Sequence, residues 1–112
     1  MSPAEARIPA PPKADLIRLV IHAPTPGALE RARRNLANLL KAAPDAQVEL
    51  LVNAGAVAAA LATPDATDSH LRLCQNSLNA GQLIAPQGLW VVPVAVLHIA
   101  QRQQEGWSYM RA

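Results

Sequence analysis

The chemistry this chain can offer centres on Cys74, its only cysteine, which falls where an alternating segment gives way to turn-forming residues. In residues 70–74, Leu71 and Leu73 alternate with His70, Arg72 and Cys74, which is the period of a strand. Gln75, Asn76 and Ser77 then read as turn and N-cap residues, Leu78 opens a short helical segment, and Gly81 ends it. A sulfur at such a junction lies beside the positive end of a helix, where unpaired backbone N–H groups favour a thiolate. A thiolate is a nucleophile, so Cys74 is a candidate reactive thiol; the competing reading is a small buried apolar side chain with no chemistry. Arg72, two residues earlier on the same strand face, is a candidate source of positive charge for it.

Further candidates fall at other strand ends. His22 closes the first apolar run and has the residue type of a general base or of a group that orients a thiol; a strand-end histidine bonded to backbone is the simpler reading. Asn53 and Gly55 follow the second run. Asn53 and Asn76 have donors for a bound anion but suit turns and caps equally well, and Ser77, with no paired base, suits a cap better than a nucleophile. His70 and His98 lie elsewhere, and the three histidines show no metal-ligand spacing, so no metal site is expected. Gly55 stands alone, without GxGxxG or GxxxxGK[ST], so no phosphate-bearing cofactor is expected either.

These groups need a scaffold. Residues 1–14, with Pro3, Pro9, Pro11 and Pro12, read as an extended tail, and residues 15–112 as one domain. A strand at 16–22 stops at Ala23 and Pro24. Thr25 and Pro26 cap and start a helix whose apolar stripe is Leu29, Ala32, Leu36, Leu39, Leu40 and Ala43. A strand at 47–53 and an alanine-rich helix at 56–61 follow, then a loop at 63–69 and the Cys74 segment. A strand at 89–92 closed by Pro93, a helix at 94–105 ended by Gly106, and a strand at 107–111 complete the chain. This alternation implies parallel crossovers and a three-layer α/β/α sandwich around a five-stranded, mainly parallel sheet. Ligands of such sheets gather beyond the carboxyl ends of the strands, where His22, residues 53–55, residues 74–77 and Pro93 would share a rim. Arg18, Glu49 and Arg72 interrupt apolar strands, which predicts an exposed sheet end, a cross-strand ion pair or burial at a subunit contact. Trp107 and Tyr109 suit packing or an interface.

Composition narrows the function classes. A net charge of +2 with a pI near 9.2, scattered basic residues and only three aromatics argue against a nucleic-acid partner. One cysteine excludes an internal disulfide or a CxxC pair and suits a reducing cytosol. No apolar run has the length of a membrane span, and the N-terminus lacks the apolar core of a signal peptide, so a soluble cytoplasmic protein is expected. An aliphatic core without phenylalanine, in so small a domain, predicts that some apolar surface is hidden in an oligomer.

In this order of elements, Leu19-Val20-Ile21-His22, the leucine-rich helix of residues 28–40, Val48-Glu49-Leu50-Leu51-Val52-Asn53-Ala54-Gly55, Cys74-x-Asn76-Ser77-Leu78, Val91-Val92-Pro93 and the closing Gln104-Glu105-Gly106-Trp107-Ser108-Tyr109 together resemble the DsrE/DsrF-like family of small sulfur-handling proteins. The resemblance covers residues 16–112. It implies an α/β/α sandwich assembled as a homotrimer or hexamer, and an acceptor cysteine at the end of the third strand, matched here by Cys74, that carries sulfur as a persulfide between donor and acceptor proteins. The family pattern has a glycine where Ala56 stands and small polar residues where Val94 and Ala95 stand. The function expected is therefore sulfur transfer, and the alternative is a non-catalytic homo-oligomeric binding or interaction module with a structural cysteine. Whether the sulfur of Cys74 is open or sealed bears on the choice, and a gain of sulfur mass on incubation with a sulfane donor, in wild type and not in Cys74→Ala, separates the two.

Overall fold

Residues 16–112 are described by the computed structural model, and the proline-rich stretch 1–14 lies outside them. Five strands, β1 (Arg18–Ala23), β2 (Gln47–Val52), β3 (Leu71–Cys74), β4 (Trp90–Val92) and β5 (Ser108–Arg111), form one sheet in the order β4-β3-β2-β1-β5. All four pairings are parallel. Four helices, α1 (Pro26–Ala42), α2 (Gly55–Ala62), α3 (Gln75–Ala80) and α4 (Ala95–Gln104), connect them. The first three crossovers each step one strand in the same direction, and the fourth steps back across the whole sheet. Crossovers of one hand therefore put α1, α2 and α3 on one face and α4 on the other.

Strand parity then divides the residues. Ile21, Leu50, Val52, Leu71 and Leu73 point to the three-helix face, where Leu29, Leu36, Val57 and Leu78 close a dry aliphatic core. A fully buried side chain of this size stabilises the fold by about 1.5–3 kcal/mol. The opposite parity carries Val20, Leu51, Cys74 and Val92, and only α4 covers them, through Ala95 with Ile99 and Trp107 packed alongside. The registers place Glu49 beside Val20, Arg72 beside Leu51 and Trp90 beside Arg72, all on this second face.

Helix starts follow local chemistry. Thr25 Oγ1 accepts the N–H of Ala28 at 3.1 Å, and Pro26 occupies the first helical turn, where its missing donor costs nothing. Replacing Thr25 by alanine is expected to lower the unfolding free energy by about 1 kcal/mol in urea melts, with an unchanged denaturant slope.

Two boundaries differ from expectation. Asp68–His70 form a 3-10 turn, its His70 ring bonded to the carbonyl of Val48 at 3.0 Å, so β3 begins at Leu71. Helix α3 begins at Gln75, which makes Cys74 itself the N-cap and places Asn76 and Ser77 inside the first turn. No helix among the described residues is long and apolar enough to cross a membrane.

Candidate functional site

Cys74 ends β3 and begins α3, so its side chain stands at a helix start on the α4-covered face. The sulfur is not open. Cys74 is 3% exposed, packed among Val20, Leu51, Val92 and Ala95. Burial pushes its pKa up, but the hydroxyl and N–H of Ser77, the N–H of Ala95 at the start of α4 and the N–H of Asn76 outweigh that, and the net direction is below an ordinary thiol. The cause is shared between two helix starts: α3 and α4 both lack a side-chain cap bond, whereas Thr25 caps α1. Donors that would otherwise be satisfied by caps stay free to face an anion.

The rim around the sulfur is tied together by side chains. Tyr109 on β5 donates its hydroxyl to His22 Nδ1 at 2.8 Å, and His22 Nε2 donates to Asn53 Oδ1 at 2.9 Å. Both imidazole nitrogens are thus occupied by side chains, which corrects the backbone-bonded reading and leaves no lone pair for a general base. Asn53 caps no helix; the residue before α2 is Ala54, whose N–H donates to Ser77 Oγ at 2.8 Å. Ala54 has φ 48° and ψ −135°, a conformation that suits glycine and costs a residue with a Cβ on the order of 1–3 kcal/mol. Gly55 begins α2 and has no positive φ; a Cβ there would meet only Pro26 Cδ at 3.6 Å. Ala56 is buried inside the helix. The position under conformational demand is therefore Ala54, one residue before Gly55.

Arg72 does not serve the thiol. Its Nε donates to Glu49 Oε2 at 3.0 Å, its Nη1 donates to the carbonyl of Leu71 at 2.9 Å, and its guanidinium lies 3.8 Å over the ring of Trp90. Glu49, 2% exposed, also accepts from His98 Nε2 at 2.7 Å and from Arg102 Nε and Nη2, each at 2.8 Å. Arg102 in turn lies 4.9 Å from the ring centroid of Trp107. Burial raises the Glu49 carboxyl, but the bonds from Arg102 and His98 and the charge of Arg72 hold it down at about 2. The cross-strand ion pair of Glu49 with Arg72 is thus present, and it is buried within the single chain, without Arg18. A groove of about 600 Å³ runs between β4 and α4 past Trp90, Pro93, His98 and Arg102, and Cys74 is not among its lining residues.

No family model matches the chain, and no curated protein does. A protein of unknown function from Methanobacterium thermoautotrophicum, MTH1491, has a similar solved structure: TM-score 0.69 at 21% identity, over 86% of this chain and 99% of that one. The two share a fold. That likeness bears on the sandwich and its topology, and the reading of the site rests on the residues above.

Of the residues marked in the sequence, the structure brings His22 and Asn53 into direct contact and gathers Ser77 and Asn76 around Cys74, while Arg72 belongs to the Glu49 network. Sequence reasoning missed Tyr109 as a partner of His22, Ala54 as the strained donor, and the joining of His98 and Arg102 to Glu49. The signal for the last was the isolated carboxylate in an apolar strand, which needs cationic partners wherever it is buried.

Proposed function

We propose that this chain is a cytoplasmic sulfane-sulfur carrier, in line with its DsrE/DsrF-like resemblance, in which Cys74 accepts a sulfur atom and passes it on. The observation that carries the reading is the place of Cys74 at the end of β3 and the start of α3, where its neighbours Ser77, Ala95 and Asn76 bring its pKa below that of an ordinary thiol in spite of burial. In the loading step the Cys74 thiolate attacks the outer sulfur of a donor persulfide; a new S–S bond forms at Cys74, the donor's S–S bond breaks, and the donor leaves as a thiolate with the electron pair. Unloading is the same exchange with an acceptor thiolate as attacker and Cys74 as leaving group, and a low thiol pKa makes it a better one. Because α4 covers the sulfur, loading requires its first turn to move aside. Exposed Val96 (71%) and Leu97 (47%) on that turn, with Trp90 and Tyr109, supply apolar surface for a homotrimeric or hexameric contact.

The burial of Cys74 favours one other reading, a non-catalytic oligomeric binding module in which the thiol only packs. Intact-mass measurement after incubation with a sulfane-sulfur donor separates the two. The carrier gains the mass of one or more sulfur atoms in the wild type and none in Cys74→Ala; equal masses in both leave only the module.

A further inference from the structure

The groove between β4 and α4 plays no part in the carrier reading, and its lining is of a distinct kind. β4 is the last strand of the sheet, so its outer edge pairs with no described strand. Trp90, at the start of β4, is 54% exposed, with the Arg72 guanidinium 3.8 Å over its ring. The facing wall is the second half of α4 and its cap, with Gln101, Gln104 and Glu105. Among the described residues the two glutamine carboxamides bond to nothing, and Glu105 uses only Oε1, which accepts from Arg102 Nη1 at 2.9 Å. Its half-exposed carboxylate therefore keeps Oε2 for a second cation. An aromatic face beside side-chain donors suits a proline-rich strand, whose rings pack on the aromatic and whose carbonyls have no partners of their own.

This chain carries one segment of that chemistry. Pro9-Ala10-Pro11-Pro12 is a PxxP sequence followed directly by Lys13, and it lies outside the described residues. The place where it joins the domain is fixed. The carbonyl of Ile17 accepts the N–H of Gln47 at 2.8 Å, and Arg18 Nη2 lies 3.1 Å from where a Cβ on Gly106 would stand, so β1 starts within an arginine's length of the end of α4. Trp90 is level with Arg72, Leu51 and His22 across the sheet. Three strands over and five residues up from Ile17, it stands about 22 Å away at the usual strand spacing and rise. The eight residues from Pro9 to Ile17 span about 25 Å as polyproline II, and Lys13 falls near the middle of that path, in reach of Glu105.

We propose that residues 9–13 dock in this groove of their own chain, with Pro9 on the ring of Trp90, Lys13 on Glu105 Oε2 and the carbonyls between them on the carboxamides of Gln101 and Gln104. The docked segment is a strap that ties the second half of α4 to the edge strand and covers the exposed tryptophan. Charge fits this direction of the chain: Lys13 meets the carboxylate at the near end of the groove, and the uncharged prolines meet the indole at the far end. Such docking needs no sulfur chemistry at Cys74 and stands apart from the carrier reading.

The test is acrylamide quenching of Trp90 fluorescence in the full-length chain, with Trp107→Phe to leave one emitter, and repeated with Trp107 in place. It compares the parent with a triple variant (Pro9→Ala, Pro11→Ala and Pro12→Ala), with Lys13→Glu, with Glu105→Lys, and with Lys13→Glu and Glu105→Lys together. A segment on so short a tether sits at an effective concentration in the millimolar range, so a contact of millimolar affinity is made in about half of the molecules, and releasing it raises the quenching constant about twofold. That rise is expected in the triple variant and in each single charge reversal. The double reversal restores the parent value, and the parent value does not change on dilution. A quenching constant that neither the triple variant nor Lys13→Glu raises overturns the proposal. A double reversal no better protected than its single parents overturns the seating of Lys13 on Glu105 and the proposal with it. Protection that is lost on dilution makes the occupant the segment of a second copy, which also overturns docking within one chain.

Discussion

Replacing Glu49 by alanine lowers the unfolding free energy by about 3–5 kcal/mol, because it leaves Arg72, Arg102 and His98 facing one another beneath α4 with no counter-charge. The cost belongs to the unpaired partners more than to the bonds themselves. Glu49→Gln keeps the volume and loses the charge, and falls between wild type and alanine. The same network sets an acid limit. The Glu49 carboxyl sits near 2 in the folded chain against an ordinary 4.5, so the unfolded chain takes up its proton first. Its stabilisation is complete above about pH 5 and drains away as pH falls from 4.5 through 2; the whole difference corresponds to about 3 kcal/mol. Urea melts at neutral pH and at successive steps down to pH 2 check both statements. Wild type loses stability steeply across that window and Glu49→Gln loses it less steeply. Parallel losses in the two proteins would mean that the acid limit lies elsewhere.

Loosening this network should also open the way to Cys74. Helix α4 bears two of the three groups that Glu49 holds, His98 and Arg102, and its first residue, Ala95, packs beside Cys74. Alkylation of a covered thiol proceeds through the fraction of molecules in which the cover has moved, so its limiting rate at high pH reports that opening, while the midpoint of its pH profile reports the thiol pKa. Glu49→Gln is expected to raise the limiting rate by about tenfold or more, each 1.4 kcal/mol taken from the anchoring of α4 being one factor of ten. The midpoint stays near its wild-type position, because the donors that lower the Cys74 pKa are Ser77, Ala95 and Asn76. Iodoacetamide kinetics on the two folded proteins give both quantities. An unchanged limiting rate would show that the reagent reaches the sulfur without any movement of α4.

Much of the scaffold was legible because its signals are local. Alternation in residues 70–74, the Thr25-Pro26 start and the punctuation by Pro24, Pro93 and Gly106 depend on neighbours in sequence, and each element lies within a few residues of its expected place. The site was legible only in part, because its contacts depend on strand order. That Tyr109 reaches His22 follows from β5 lying beside β1, which nothing in either segment specifies. Arg72 shares a strand face with Cys74, but on the neighbouring strand the buried Glu49 offers a stronger partner, and the arginine goes there. Alternation also put Cys74 on the side of the polar residues His70 and Arg72, which left open whether that side is covered. The fourth crossover lays α4 over that side and buries it, a consequence of topology and not of any local pattern.

The central claim is that the fold lowers the pKa of the Cys74 thiol, and the alkylation profile of the wild-type chain tests it most directly. The expected profile has its midpoint below that of a free thiol and a limiting rate below that of an unstructured cysteine peptide, the first from the surrounding donors and the second from the cover. A midpoint at or above the peptide's, measured on the folded chain, would contradict it.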